Sequence, residues 1–149
     1  DKIRRQITSL GKTCWIVQGT PSSDPSPQKI PGGLLIPYMN ANELTFWLPK
    51  AKVVLARSGY SSLMDFAVLG LKQVILVPTP GQPEQLLLGQ SLHHNKMALS
   101  VSQRKLSIPK ALTKVVAFRG FVKLRHAWFH LFQCSAQKKG ILLKRTKWN

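Results

Sequence analysis

Residues 53–77 read VVLARSGYSSLMDFAVLGLKQVILV, and the reading of this stretch decides the fold. VVLA at 53–56 is a short, nearly continuous apolar run of strand length, and Gly59 breaks it. SSLMDFAVLG at 61–70 reads as a helix that ends at Gly70, and VILV at 74–77 reads as the next strand. The pattern continues outward on both sides. CWIV at 14–17 and Leu34-Leu35-Ile36 are further strands. Residues 3–10 set Ile3, Ile7 and Leu10 at helical spacing, with Gly11 behind them as a C-cap. Residues 41–48 read as a short helix capped by Asn40 or Asn42, and residues 86–94 as a helix weakened by Gly89. Four prolines and Gly32-Gly33 make 19–33 a long loop. Apolar strands alternating with helices predict an α/β fold, a parallel sheet with helices on both faces.

The 149 residues suit one domain and include 44% hydrophobic side chains, enough to bury a core. The formal charge of +17 disfavours cationic ligands and favours phosphates, nucleic acid or an acidic membrane surface. That charge is unevenly spread. All five acids lie in the first 84 residues, whereas residues 101–149 hold twelve basic side chains and no acid. The chain therefore divides softly near residue 113, into a domain over 1–113 and a basic, aromatic segment over 114–149. Cys14 and Cys134 lie far apart in no metal-like spacing, which points to a reducing compartment and a cytoplasmic location. No apolar run approaches the length of a membrane span, and the start at Asp1 reads as a cut within a longer frame.

Ligands of open α/β sheets bind outside the carboxyl ends of the strands, and two loops at such ends are chemically rich. Arg57-Ser58-Gly59-Tyr60-Ser61-Ser62 joins a strand to a helix, where free backbone N–H groups and the positive dipole end can cradle a diphosphate. Gly59 allows close approach, and Ser61 and Ser62 add hydroxyls. The same residues also read as a serine-capped helix start with Ser62-x-x-Asp65 as a capping box, and on pattern alone that reading is the stronger. Asp65 lies one turn on and can accept ribose hydroxyls or complement the helix dipole. The second loop is Pro78-Thr79-Pro80-Gly81-Gln82-Pro83-Glu84-Gln85. Pro83 suits a first helical position with Glu84 in the first turn; Glu84 and Gln85 offer the partners that sugar hydroxyls need, and Gly81 and Gln82 support the loop.

ARSGYSSLMDFAVLG (56–70) followed by QVILVPTPGQPEQ (73–85) resembles the C-terminal, nucleotide-sugar-binding domain of GT-B glycosyltransferases, in particular glycosyltransferase family 28. The resemblance covers roughly residues 1–113. It implies a Rossmann-like sheet, one half of a GT-B fold, and a hexosyl transfer from a nucleotide sugar, in the first place a UDP-sugar, to an acceptor hydroxyl. By position it implies that Ser58, Gly59, Ser61 and Ser62 meet the diphosphate, Asp65 the ribose, and Glu84 and Gln85 the donor sugar. It also implies that the backbone of Tyr38-Met39 meets the base. No cofactor or metal is implied, and no catalytic base is assigned. The partner it implies is an N-terminal acceptor-binding domain, without which the chain alone is expected to be inactive. The strand and glycine-rich loop expected before residues 3–10 are missing, leaving at most about four or five strands and a raw edge.

The basic segment lies outside the resemblance. On a helix, Arg119, Lys123, His126 and His130 line one face of 114–132, and Ala117, Phe121, Leu124, Trp128 and Phe132 the other. Such a helix either lies on an acidic membrane surface, at the inner face of the membrane, or packs on the sheet as a core element. Residues 138–149 read as a frayed basic end. His93-His94 read as a surface pair, and His126, His130 and Cys134 as a coherent face too poor in ligands to count as a metal site. A basic module binding nucleic acid or an acidic membrane surface is the alternative function. No nucleic-acid motif is present, which disfavours the first of these.

Overall fold

The computed structural model describes residues 2–8, 10–11, 13–20, 26–123 and 140–144. Helix α1 (Lys2–Thr8) leads into β1 (Cys14–Val17). The proline-rich stretch, expected to be loop throughout, contains β2 (Gln28–Ile30), which pairs antiparallel with β3 (Gly33–Ile36). The two-residue turn between them places Gly32 at φ 85°, a conformation natural to glycine. Helix α2 (Ala41–Trp47) starts in a full capping box: Asn40 Oδ1 accepts the Glu43 N–H at 2.9 Å, and Glu43 Oε2 accepts the Asn40 N–H at 2.7 Å. Then come β4 (Ala51–Ala56), α3 (Tyr60–Leu69), β5 (Val74–Leu76), α4 (Pro83–His94), β6 (Leu99–Ser100), α5 (Ile108–Lys114) and β7 (Gly140–Lys144). Helix α3 closes on Gly70 in the left-handed conformation, as its sequence predicts.

Among the described residues seven strands lie in the order β2-β3-β1-β7-β4-β5-β6. Strand β1 is parallel to β3, and β4, β5 and β6 are parallel to one another. Strand β7 runs antiparallel to both β1 and β4, so β1, β3, β4, β5 and β6 all point the same way. The sheet thus exceeds the four or five strands expected. The extra strands are two short edge strands and β7, which fills a central gap.

Alternation along the strands splits the core into two layers. Val54, Ala56, Val74 and Leu76 face Leu63 and Phe66 of α3, with Leu44 and Trp47 of α2 and Leu88 and Leu92 of α4 packed beside them. Val53, Leu55, Ile75 and Val77 face Ile7 of α1, Ile108 and Ala111 of α5, and Val115. Complete burial of side chains such as Ile75 and Leu76 contributes on the order of 2 kcal/mol each. Gln6 ties the helices of the second layer together: its Nε2 donates to the Leu106 carbonyl at 3.2 Å and its Oε1 accepts the Ile108 N–H at 2.6 Å.

Where it is described, the basic segment departs from its helical pattern. The boundary near 113 falls inside the last turn of α5, and the fold continues past it. A 3-10 turn spans Val115–Ala117; Phe118 is then extended (φ −102°, ψ 137°) and Gly120 is left-handed at φ 79°. No amphipathic helix runs through 118–123. Tertiary hydrogen bonds replace the helical ones: Arg119, Gly120 and Phe121 donate N–H groups to the carbonyls of Lys96, Met97 and Leu71. A Cβ at Gly120 would lie 2.4 Å from the Lys72 backbone, so only glycine admits this approach. Phe121 is buried in the first core layer, edge-on to Phe66. The expected frayed end at 138–149 contains β7. Leu124, Trp128 and Phe132, with the His126, His130 and Cys134 face, lie outside the described residues.

Candidate functional site

Because five strands are parallel, the loops after β1, β3, β4 and β5 meet at one rim of the sheet. The loop after β4 is held from below. Arg57 Nη1 donates to the carbonyls of Val77 (3.1 Å) and Pro78 (3.3 Å), tying the end of β4 to the end of β5. Ser58 is fully buried, and its hydroxyl donates to the Gln85 carbonyl at 2.7 Å. The two loops singled out in the sequence are thereby brought together, through residues whose polar side-chain atoms serve the fold.

Gly59 is the N-cap of α3 in an extended conformation, and no side chain caps the helix. The helix starts at Tyr60, so Ser62 is its third residue. The capping-box reading of Ser62 and Asp65 does not hold, because α3 has no acid in its first turn. The N–H groups of Tyr60, Ser61 and Ser62 precede the first intrahelical bond, which runs from Leu63 N–H to the Gly59 carbonyl. A Cβ at Gly59 would meet no atom within 4 Å, so the approach to these amides is open. Ser61 is exposed, while Ser62 and Asp65 are half-buried. Asp65 stands one turn after both serines, on the face they share.

The loop after β5 is folded on itself. Gln85 Oε1 accepts the Thr79 N–H at 3.0 Å, and Gln85 Nε2 donates to Gln82 Oε1. Gly81 sits at φ 81° with open space around its Cβ position. Pro83 opens α4, Gln82 is its N-cap, and Glu84 is exposed in the first turn, as the sequence predicts. At the end of β3, Tyr38 is half-buried and the Met39 side chain belongs to the core. Strand spacing puts that end about 14 Å from the end of β4.

A cavity of about 710 Å³ opens on the far side of the 78–83 loop, closed by His93 and His94 of α4 and by Ser100, Ser102 and Arg104. None of Ser58, Ser61, Ser62, Asp65, Glu84 or Gln85 lines it. His93 is not the surface residue expected. Its Nδ1 accepts the Ser100 N–H at 3.1 Å, and its ring lies 5.0 Å from that of Phe118. The signal for this role was absent from any local window, because Phe118 follows 25 residues later. Among the described residues there is no cluster of His, Cys, Asp or Glu able to hold a metal, and no helix long and apolar enough to cross a membrane.

The model of the glycosyltransferase family 28 C-terminal domain matches residues 34–123, more than half of the chain. The chain belongs to this family. The match contains every residue singled out at the rim, from Tyr38 to Gln85, and runs on through Val115 and Phe121, where the core also continues. Membership places the chain with the glycosyltransferases. Comparison with curated proteins and with solved structures found no significant match.

Proposed function

We propose that the chain is the donor-binding part of a glycosyltransferase that passes a hexosyl group from a UDP-sugar to an acceptor hydroxyl. The observation that carries this reading is the uncapped start of α3 behind Gly59, open to the rim and locked to the start of α4 by Ser58. The amides of Tyr60, Ser61 and Ser62, with the two serine hydroxyls, bind the diphosphate. Ser58 acts through its backbone and through the clamp on Gln85. Asp65 accepts the ribose hydroxyls. The backbone at Tyr38-Met39 meets the base, at a distance from the α3 start that a nucleoside diphosphate bridges and a lone phosphate does not. Glu84 takes the donor sugar. Gln85 reaches the sugar only by exchanging its bonds to Thr79 and Gln82.

Chemically, the departing diphosphate gains charge as the glycosidic bond breaks. Aligned amides and the positive end of the α3 dipole stabilise that charge without reorganising. The acceptor and the base that activates it come from a partner domain, so this chain alone binds donor and transfers nothing. Calorimetry with UDP, UMP and uridine tests the reading: affinity should rise in the order uridine, UMP, UDP. A folded sample that binds none of them at millimolar concentration would refute it.

A further inference from the structure

The edges of β1 and β4 face each other across a gap, and one strand satisfies both. Strand β1 is paired on its other side with β3, and β4 with β5. Across the gap, Cys14–Val17 pair with Leu143–Gly140, and Ala51–Ala56 pair with Lys144–Gly140 with one irregularity near Val53. Among the described residues β7 is the only strand that joins the β2-β3-β1 half of the sheet to the β4-β5-β6 half. It starts at the ligand rim, where Gly140 lies opposite both Val17 and Ala56.

The walls of the gap define what enters it. Cys14, Val53 and Leu55 belong to one core layer and Val17, Val54 and Ala56 to the other, so the gap is covered on both faces. Backbone groups buried there must be paired by protein. A strand buried on both faces is apolar without alternation. In sequence, Ile141-Leu142-Leu143 is an apolar run inside an otherwise basic stretch. No hairpin sets the register, because β7 follows β1 by more than 120 residues and β4 by more than 80. The gap itself selects the strand.

We infer that the gap between β1 and β4 is a strand-acceptor site for an extended apolar segment in the antiparallel sense, and that the chain's own residues 138–149 can fill it when supplied as a separate peptide. Recognition is through the two backbone edges, which pair with residues 140–144 on both sides.

The full-length Leu142→Pro variant tests this, since proline cannot donate to a central ladder. Hydrogen exchange followed by mass spectrometry should show protection at 14–17 and 53–56 falling at least about tenfold, with 74–76 less affected. A synthetic 138–149 peptide in excess should restore it, and the same peptide carrying Leu142→Pro, identical in charge, should not. Unchanged protection in the variant overturns the inference, as does equal rescue by both peptides. If the variant unfolds altogether, it is refolded from urea with each peptide. Recovery of protection with the wild-type peptide alone supports the site; recovery with neither overturns it. The readout is the sheet, so the result is independent of any nucleotide binding.

Discussion

Gly59→Ala separates ligand from fold more cleanly than any other change at the rim. Residue 59 has φ −71° and ψ 142°, open to any amino acid, and a Cβ there touches nothing within 4 Å. Two small effects on stability oppose each other. Alanine is a poorer N-cap than glycine by roughly 0.5–1 kcal/mol. It also restricts the unfolded chain, which stabilises the fold by about 0.4–1 kcal/mol. The net change should lie within about 0.5 kcal/mol of zero. The effect on a bound diphosphate has no such compensation. In the proposed site its oxygens would come within about 2.9 Å of the amides of Tyr60, Ser61 and Ser62, and a methyl group at the entrance would hold them off. Losing one charge-assisted hydrogen bond costs about 1.5–3 kcal/mol, so UDP affinity should fall by about tenfold to a hundredfold. Urea unfolding and UDP calorimetry on the same samples measure both quantities. Unchanged affinity at unchanged stability would show that the diphosphate does not approach the backbone at Gly59, and the donor site would have to lie elsewhere.

Three further outcomes follow from particular contacts. Asp65→Ala should weaken UDP at least about tenfold, whereas Glu84→Ala should leave UDP nearly untouched and weaken only a UDP-sugar; equal losses for UDP, measured by calorimetry, contradict both assignments. Gln6→Ala should cost about 1–3 kcal/mol in urea unfolding, because the Leu106 carbonyl and the Ile108 N–H lose one partner together; a loss below about 0.5 kcal/mol would mean that water replaces the amide at no cost. Burial pushes the Cys14 thiol up from 9.0 to about 12. In a Cys134→Ser background its alkylation should therefore track global unfolding rather than local access. The unfolded chain loses this proton first, so stability is whole below pH 9 and falls by about 1.4 kcal/mol per pH unit from there towards 12. Rapid labelling of Cys14 in native buffer would contradict its placement at the sheet centre.

The parallel strands were legible because each is a short apolar run that needs no partner to be recognised. VVLA, VILV and CWIV mark their own burial, and Gly70 and Pro83 mark where helices end and begin. The cap of α2 was legible only as Asn40 or Asn42, and the reciprocal bonds between Asn40 and Glu43 decide for Asn40. Contacts between distant segments were not. The helical pattern of 114–132 gives way at 118–123 because Leu71, Met97 and Lys96 offer carbonyls to that segment, and nothing in its own sequence announces them. Charge masks the strand within 138–149, where five basic residues overshadow Ile141-Leu142-Leu143. At the rim, residue types were legible but division of labour was not. Ser58 and Gln85 look like ligand groups in sequence, yet the Ser58 hydroxyl holds one loop to the other and the Gln85 amide braces its own loop.

That division has a physical logic. A diphosphate carries charge that must be met by donors already in place, and flexible side chains lose rotamer freedom when they bind. Backbone amides at a helix start have no such freedom to lose, provided the loop behind them is rigid. Here three kinds of bond supply the rigidity: the Arg57 guanidinium on the carbonyls of Val77 and Pro78, the Ser58 hydroxyl on Gln85, and the Gln85 amide across Thr79 and Gln82. Each uses a polar side chain to fix a loop, so that the first turn of α3 holds one arrangement at the rim. Ser58, fully buried, is for this reason more sensitive to change than its distance from solvent would suggest. Removing its hydroxyl frees the start of α4 from the start of α3, and the proposed diphosphate and donor-sugar positions would lose their common frame.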